Sequence, residues 1–511
     1  MFESIKFAIE TITLILNGLF IVILIYHGLK IYQDSRYNIR DSLSHIIYFY
    51  RKHYYIFLLT VFIFVLDMWY FQLMFSLTLV GIYLLMRKNK QIAKLKFTSR
   101  IIRIYVFIII SWTVLGTLLM MKVPFPHLTS FLALLGIFTP ILSVLSGIAL
   151  IPLEGLIAKG YQLKARRKLK KLKPSVIGIT GSCGKTSVKN FALELLKENH
   201  LTFKSPKSFN TLNGISITIN NYLNFENTYL LLEMGATKLK DIEKLVNFTN
   251  PQYGIITEIV PQHLKSFVNI DNIILEKMKL VESLPANGIA FLNYDNDYIR
   301  NYKLKTNCKI ITFGTNDDCD YYATDLDFTL NKTRFTVHYN NKTITAETKL
   351  LGRHNVTNLL AAIALAKELG VSDNEIIDGI ARIKQVPHRL ELKKQDNLTI
   401  IDDAYNSNVN GFKNALEVLD LARGYRTLIT PGIVDLGKDT YVINYNLSES
   451  IAKVCDEVIL IENDASKSIY EGLNKLGFEN IKLVKSFKEG FALIEKGTVL
   501  IENDLPDNYF L

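Results

Sequence analysis

Cysteine is scarce: 511 residues hold four, Cys183, Cys308, Cys319 and Cys455. So few thiols exclude a disulfide scaffold and suit a reducing compartment. Low-complexity tracts are missing and aromatic residues reach 11%, which excludes disorder as the main character of the chain. Acidic residues are nearly absent from the first third. Residues 1–173 hold 22 Lys and Arg but 6 Asp and Glu, a net of +16, whereas the remainder carries −5. A net charge of +11 would suit a nucleic-acid partner. Here the positive charge lies between apolar runs, which is the pattern of membrane topology and not of a nucleic-acid face.

Those runs are what the first third contains. Mean hydropathy is positive, +0.18, although soluble domains need a more polar surface. Residues 11–29 are uncharged and long enough to span a bilayer. Residues 55–86 are apolar except Asp67 and read as a tight hairpin of two spans. Residues 104–121 and 127–152 follow, the latter with Pro140 inside, which membrane helices tolerate. About five transmembrane helices are expected. The loops 87–103 and 159–173 are basic without a single acid, so the positive-inside rule places both in the cytoplasm. The N-terminus is then outside and everything after 173 inside. No small-residue cleavage site follows the first apolar run, so a cleaved leader is not expected. Anionic membrane lipids are the expected neighbours of 159–173.

A phosphate-cradling arrangement opens the remainder. Ser175–Thr180 reads as a short buried strand, Gly181-Ser182-Cys183-Gly184-Lys185-Thr186 as a glycine turn, and Ser187–Asn199 as a helix. Glycines let backbone N–H groups approach phosphate oxygens, and the helix N-terminus adds positive potential. Lys185 then meets the β- and γ-phosphates, and the Thr186 hydroxyl sits on Mg²⁺. The spacing is G-x-x-G-K-T and not the longer G-x-x-x-x-G-K-[ST]. Cys183 within the turn is expected as a buried neutral thiol. Further on, Leu230–Gly235 is a strand ending in the carboxylate Glu233, and strand ends line the ligand crevice of open α/β sheets.

From about 175 to 440, with a weaker continuation to 511, this series resembles the Mur ligases. These are ATP-dependent enzymes that couple an amino acid or dipeptide to a cell-wall precursor. The form looks nearest to the branch adding D-alanyl-D-alanine. The resemblance implies that Glu233, in E-M-G, binds Mg²⁺. Thr257, Ile259, His263 and Leu264 match T-N-I-x-x-x-H-L, with Glu258 where Asn is usual, and imply His263 as a ligand to a second Mg²⁺. Lys277 best matches a lysine that the family carbamylates into an anionic metal ligand, while Lys279 stands where Glu is usual. Leu292-Asn293-Tyr294-Asp295 resembles L-N-x-D-D and puts Asn293 at the nucleotide. Gly352–Asn358, with His354 and Asn355, implies a site near adenine. Val386–Glu391 holds Arg389, which reaches phosphate in relatives. Asp402–Asn408 resembles D-D-x-Y-N-x-N-P, so Asp403 meets the ribose. Gly181, Ser182, Gly184, Lys185 and Thr186 complete the nucleotide set. By the same resemblance, Lys185, His263, Lys277 and Arg389 are the residues expected to carry catalysis.

The chain also departs from the family. Thr211 replaces an Asn in the substrate-side N-x-N-N-x-x-G loop, Val409 replaces a proline, and the C-terminal lysine loop for the dipeptide is not evident. Apolar segments stand where the family has a soluble UDP-sugar-gripping domain. The expected architecture is an α-helical membrane region, 1–173, followed by α/β: a P-loop-type ATPase domain, 174–392, and a Rossmann-like ligase domain, 393–511. Alternating residues across Asp325–Thr348 predict an antiparallel excursion joining the two. The expected activity is ADP-forming addition of D-alanyl-D-alanine to UDP-MurNAc-tripeptide through an acyl phosphate. Another amine, with a lipid-linked or poly-γ-glutamate-type acceptor, is the alternative. A nucleotide-switched transporter or sensor is disfavoured, because the spans show no internal repeat and few polar groups. The oligomeric state is not legible.

Overall fold

The computed structural model describes residues 2–35, 37–52, 95–121, 138–206, 209–261, 264–395, 397–404, 408–434 and 436–503. The chain divides into two compact units, 1–159 and 160–511.

The first unit is helical. Helices α1 (Phe2–Asp34), α2 (Ile39–Lys52), α3 (Ser99–Met120) and α4 (Thr139–Ala149) lead into α5 (Ile151–Leu172), within which the division falls. Ile25, Leu29, Tyr32, Ile46, Ile101, Ile104 and Val144 form its core. Arg103 and Glu154 make a two-pronged ion pair at 2.6 and 2.7 Å. Among the described residues two helices are long and apolar enough to cross a membrane, within α1 and α3. They contain the expected span 11–29 and most of 104–121, as far as Leu118. The expected hairpin 55–86 lies outside the described residues, as do 127–137. The remainder of the last expected span is broken: α4 and α5 meet at a 43° bend, and the pair passes as one span only if taken together. Pro140 stands in the first turn of α4, where its missing N–H leaves no helical bond unmade.

The second unit begins at Gly160, so part of the basic segment belongs to it. The reason is an i, i+4 apolar pair: Ala165 and Leu169 of α5 are buried in its core, while Lys168 Nζ donates to Asn220 O at 3.0 Å. Strands β1 (Ser175–Thr180), β2 (Thr202–Lys204), β3 (Tyr229–Glu233), β4 (Tyr253–Ile256), β5 (Ile289–Asn293), β6 (Lys309–Gly314), β7 (Tyr321–Phe328), β8 (Thr333–Tyr339) and β9 (Lys342–Thr348) form one sheet, ordered β2-β3-β1-β4-β5-β6-β7-β8-β9. Pairing is parallel through β7 and antiparallel across β7-β8-β9. The alternating segment thus exists but starts at Tyr321 and extends the first sheet. It does not form a bridge between two sheets. Helices cover both faces, and β1 is accordingly a continuous apolar run.

A second sheet holds β10 (Glu391–Gln395), β11 (Leu398–Asp403), β12 (Arg426–Thr430), β13 (Glu457–Ile461), β14 (Ile481–Val484) and β15 (Gly497–Glu502). Its order is β10-β11-β15-β12-β13-β14, parallel except for the β10 edge. Both α/β sheets open a crevice at the carboxyl ends of their parallel strands.

Candidate active site

β1 ends at Thr180, the turn 181–184 follows, and helix α6 (Lys185–Leu196) starts at once. Two glycines are required there. Gly181 (φ 155°) and Gly184 (φ 80°) adopt backbone that side chains rarely take, and a Cβ on either would collide with Thr257 or Asn358. The turn is fastened from behind. Ser182 N donates to Glu258 O at 2.5 Å, Ser182 Oγ to Val260 O at 3.0 Å, and the Thr257 hydroxyl to Cys183 O.

Lys185 folds back over its own turn, Nζ lying 2.6 Å from Gly181 O and 3.0 Å from Ser182 O. Burial holds its pKa below the usual lysine range. The next residue, Thr186, donates its hydroxyl to Glu233 Oε2 at 3.1 Å. Glu233 Oε1 pairs with Lys189 Nζ at 2.5 Å, and Lys189 also donates to Ser205 O at 2.9 Å. Both side chains of this pair are at most 2% exposed.

The turn, Lys185, Thr186 and Glu233 line a cavity of about 500 Å³ to which both α/β domains contribute. From the first come the turn, Lys185, Thr186, Asn210, Glu233, Lys277, His354, Asn355 and Asn358; from the loop that leads to the second sheet, Arg389; from the second, Asp403, Asn408 and Gly411. Lys277 is buried, and burial together with the Lys185 charge brings its pKa down to about 7. Lys279 instead faces outward and pairs with Glu282 at 2.7 Å. One helix, Ile270–Glu282, therefore separates the two lysines, because positions two apart point to different sides. Burial, aided by Arg389, lowers the His354 imidazole to about 4, so it is neutral at physiological pH. Its Nδ1 is buried and meets no hydrogen-bonding atom among the described residues. Asn355 Nδ2 donates to Leu351 O at 2.8 Å. Burial raises the Asp403 carboxyl, whose Oδ1 accepts from Leu390 N at 3.1 Å.

Asn293 does not line this cavity. It is buried one layer back, with Nδ2 on Thr257 O at 2.6 Å, and so braces the strand end that holds the turn. His263 lies outside the described residues. The Cys183 thiol is driven up to about 12 by burial and accepts from Asn408 Nδ2 at 3.1 Å. Thr211 caps the helix Leu212–Tyr222, its hydroxyl accepting from Gly214 N, a role a hydroxyl fills as well as an amide. Glu258, another departure, accepts from Asn410 Nδ2 at 3.1 Å across to the second sheet's first helix. Asn358 and Asn408 stand within the two sequence motifs with no role of their own, and Lys189 lies outside every motif. Lys189 carried one signal: it stands four residues beyond Lys185, on the same helix face.

The Mur ligase middle domain matches residues 179–366, and the Mur ligase glutamate ligase domain matches 388–501, together more than half of the chain. The chain belongs to the Mur ligase family. The UDP-N-acetylmuramoyl-tripeptide--D-alanyl-D-alanine ligase of Escherichia coli is 31% identical over 54% of this chain and 61% of its own length. That of Bacillus subtilis is 30% identical over 58% and 63%. The chain thus spans less than two thirds of the length of these relatives. Among solved structures, MurF ligase from Thermotoga maritima in complex with ADP superposes with a TM-score of 0.62 at 24% identity, over 68% of this chain and 80% of that one. A pseudomurein peptide ligase type C from Methanothermus fervidus gives 0.52 at 19%, over 65% and 76%. Both share the Mur ligase fold of two α/β domains.

Proposed function

We propose that this chain is an ATP-dependent, ADP-forming ligase that adds D-alanyl-D-alanine to UDP-MurNAc-tripeptide in cell-wall synthesis. The observation that carries the reading is the convergence on one cavity of the Gly181–Thr186 turn, Glu233, Lys277, Arg389 and Asp403. The domain division that goes with it is 1–173, 174–392 and 393–511, the middle part being of the P-loop type.

The residues fit the nucleotide and its metal. The positive-φ glycines open a cradle that a Cβ would fill, and the partnerless His354 Nδ1 suits a polar edge such as adenine's. Thr186 and Glu233 form an all-oxygen donor set, as a hard Mg²⁺ requires. When bound, Mg²⁺ neutralises phosphate charge. Thr186 and Glu233 would hold one ion, His263 and a carbamylated Lys277 a second. Lys277 suits carbamylation because a pKa near 7 leaves much of the amine neutral, and the neutral nitrogen attacks CO₂ with loss of a proton.

Lys185 and Arg389 hold the phosphates while the acceptor carboxylate attacks the γ-phosphorus and ADP departs. The amine then adds to the acyl phosphate, a tetrahedral intermediate forms, and phosphate leaves. Holding carboxylate, nucleotide and amine between two sheets supplies the orientation. Phosphate release by detergent-purified protein with Mg-ATP is expected to require both UDP-MurNAc-tripeptide and D-alanyl-D-alanine. Release without the dipeptide, or no pentapeptide in the mass spectrum, would sink this reading.

A lipid-linked or poly-γ-glutamate-type acceptor with another amine is the second reading. It is favoured by one observation: the family match starts at 179, and two helices apolar enough to cross a membrane precede it. In either case the protein sits in a bacterial-type cytoplasmic membrane, its ligase domains inside and its basic segment against anionic lipid. It is expected to stay in the membrane pellet through high-salt and carbonate washes; release by salt alone would refute the spans.

Lys277 also makes a stability prediction. Its folded pKa of about 7 lies below the ordinary 10.5, so between these values only the unfolded chain binds the proton. Stability from this group rises with pH across that window. At pH 7.5 in CO₂-free buffer, Lys277→Met is expected to raise unfolding free energy by roughly 2–4 kcal/mol, the scale of removing on folding the proton that the unfolded lysine still carries. Urea unfolding checks this, and a lowered midpoint contradicts it.

A further inference from the structure

Arg389 is the cavity-lining arginine, and its flanks are unusual. His388 (φ 59°) and Leu390 (φ 49°) both adopt left-handed backbone, and neither is glycine. Such residues persist where their surroundings hold them. The holders are two adjacent acids at the end of β11. Asp402, whose side chain is 2% exposed, lies 2.8 Å from the His388 ring Nδ1 and 2.6 Å from Lys393 Nζ. Asp403 Oδ1 takes the Leu390 N–H at 3.1 Å. Glu391 Oε2 accepts from His388 N at 3.2 Å and pairs with Lys393 at 2.9 Å. Arg389 N donates to Val386 O at 3.1 Å. Every backbone position around the arginine is thereby pinned, and the residue between the two pinned turns lines the cavity.

The His388, Glu391 and Asp402 ligand atoms lie within 4.8 Å of one another, close enough for a metal cluster. The Lys393 ammonium already offsets both carboxylates at 2.9 Å or less, so the group is an ion network. Its position gives it a purpose. It joins the last loop of the first sheet's domain to the first two strands of the second. We propose that Asp402 and His388 are positioning residues that aim the Arg389 guanidinium at the nucleotide phosphates. This rests on the nucleotide reading of the cavity. Asp402 acts through the His388 ring that it holds, and His388 through the left-handed backbone position next to Arg389.

The test is ADP affinity, by calorimetric titration of the full-length protein in detergent, with unfolding midpoints alongside. Asp402→Ala is expected to weaken ADP binding by about 10-fold through misplacement of Arg389. Arg389→Ala loses at least as much, and the double variant binds no more weakly than Arg389→Ala alone. His388→Ala follows Asp402→Ala. Asp402→Asn keeps the side chain's size and shows the same masking by Arg389→Ala, which covers an Asp402→Ala that does not fold. If Asp402→Ala and Asp402→Asn bind like the parent while Arg389→Ala is weakened, the proposal falls alone. Losses that multiply in the double variant also overturn it, because Asp402 then acts independently of Arg389. If Arg389→Ala binds like the parent, both this proposal and the nucleotide reading fall.

Discussion

Lys185→Ala is expected to lower phosphate release by roughly 10²–10³-fold, the usual cost of deleting one preorganised charge at a transferring phosphoryl group. The fold should survive. The Lys185 ammonium contacts two carbonyls of its own turn, Gly181 O and Ser182 O, and both glycines keep their backbone without it. What is lost is a cation already partly stripped of water, since burial lowers its pKa in the free protein. A phosphate would restore the lost solvation, so the interaction strengthens as the nucleotide arrives. Steady-state phosphate release, with circular dichroism as the check on folding, decides it. A variant that is folded and within a few-fold of the parent would remove Lys185 from the chemistry, and the ligase proposal with it.

Lys189→Met is expected to destabilise the second unit by about 3–5 kcal/mol, because it strands a buried carboxylate. Glu233 is 1% exposed and sits 2.5 Å from the Lys189 ammonium. Without that charge, Glu233 keeps a single neutral donor among the contacts described, the Thr186 hydroxyl. Adding Glu233→Gln should restore most of the stability, since a neutral amide needs no counter-charge. Urea unfolding of the single and double variants measures the coupling directly. No recovery in the double variant would mean that Lys189 stabilises through Ser205 O instead. The sign is opposite to that expected for Lys277→Met. Both lysines are buried, but Lys189 has a carboxylate partner, whereas Lys277 faces another cation, Lys185. Local pairing decides the sign; residue type and burial do not.

Much of the fold and of the site is legible in the sequence. The strand Ser175–Thr180 was delimited by an apolar run and a glycine turn, both local features, and the structure keeps those bounds. The helix that follows starts two residues earlier than read, at Lys185, because Gly184 itself serves as the cap. Glu233 belongs to one motif and Lys185 and Thr186 to another, and their meeting follows from β1 and β3 being parallel neighbours. Asn293 shows the opposite case. Its motif was readable, yet its amide turns to Thr257 O behind the turn. A motif fixes which residue stands at a strand end, not which way its side chain is claimed by neighbours.

The sequence by itself determined the chemistry-bearing residues of the turn, the apolar character of the first third and the α/β class of the rest, because each depends on neighbours within a few positions. Only the tertiary structure decided that Lys277, which the family spacing already favours, lines the cavity while Lys279 faces outward, that Lys189 neutralises Glu233, and that Asp402 holds the His388 ring beside Arg389. It also decided that the basic helix belongs partly to the second unit, through Ala165 and Leu169. Each of these is a contact between residues distant in sequence or a choice of helix face. Burial and pairing select among such arrangements, and neither is carried by any one segment.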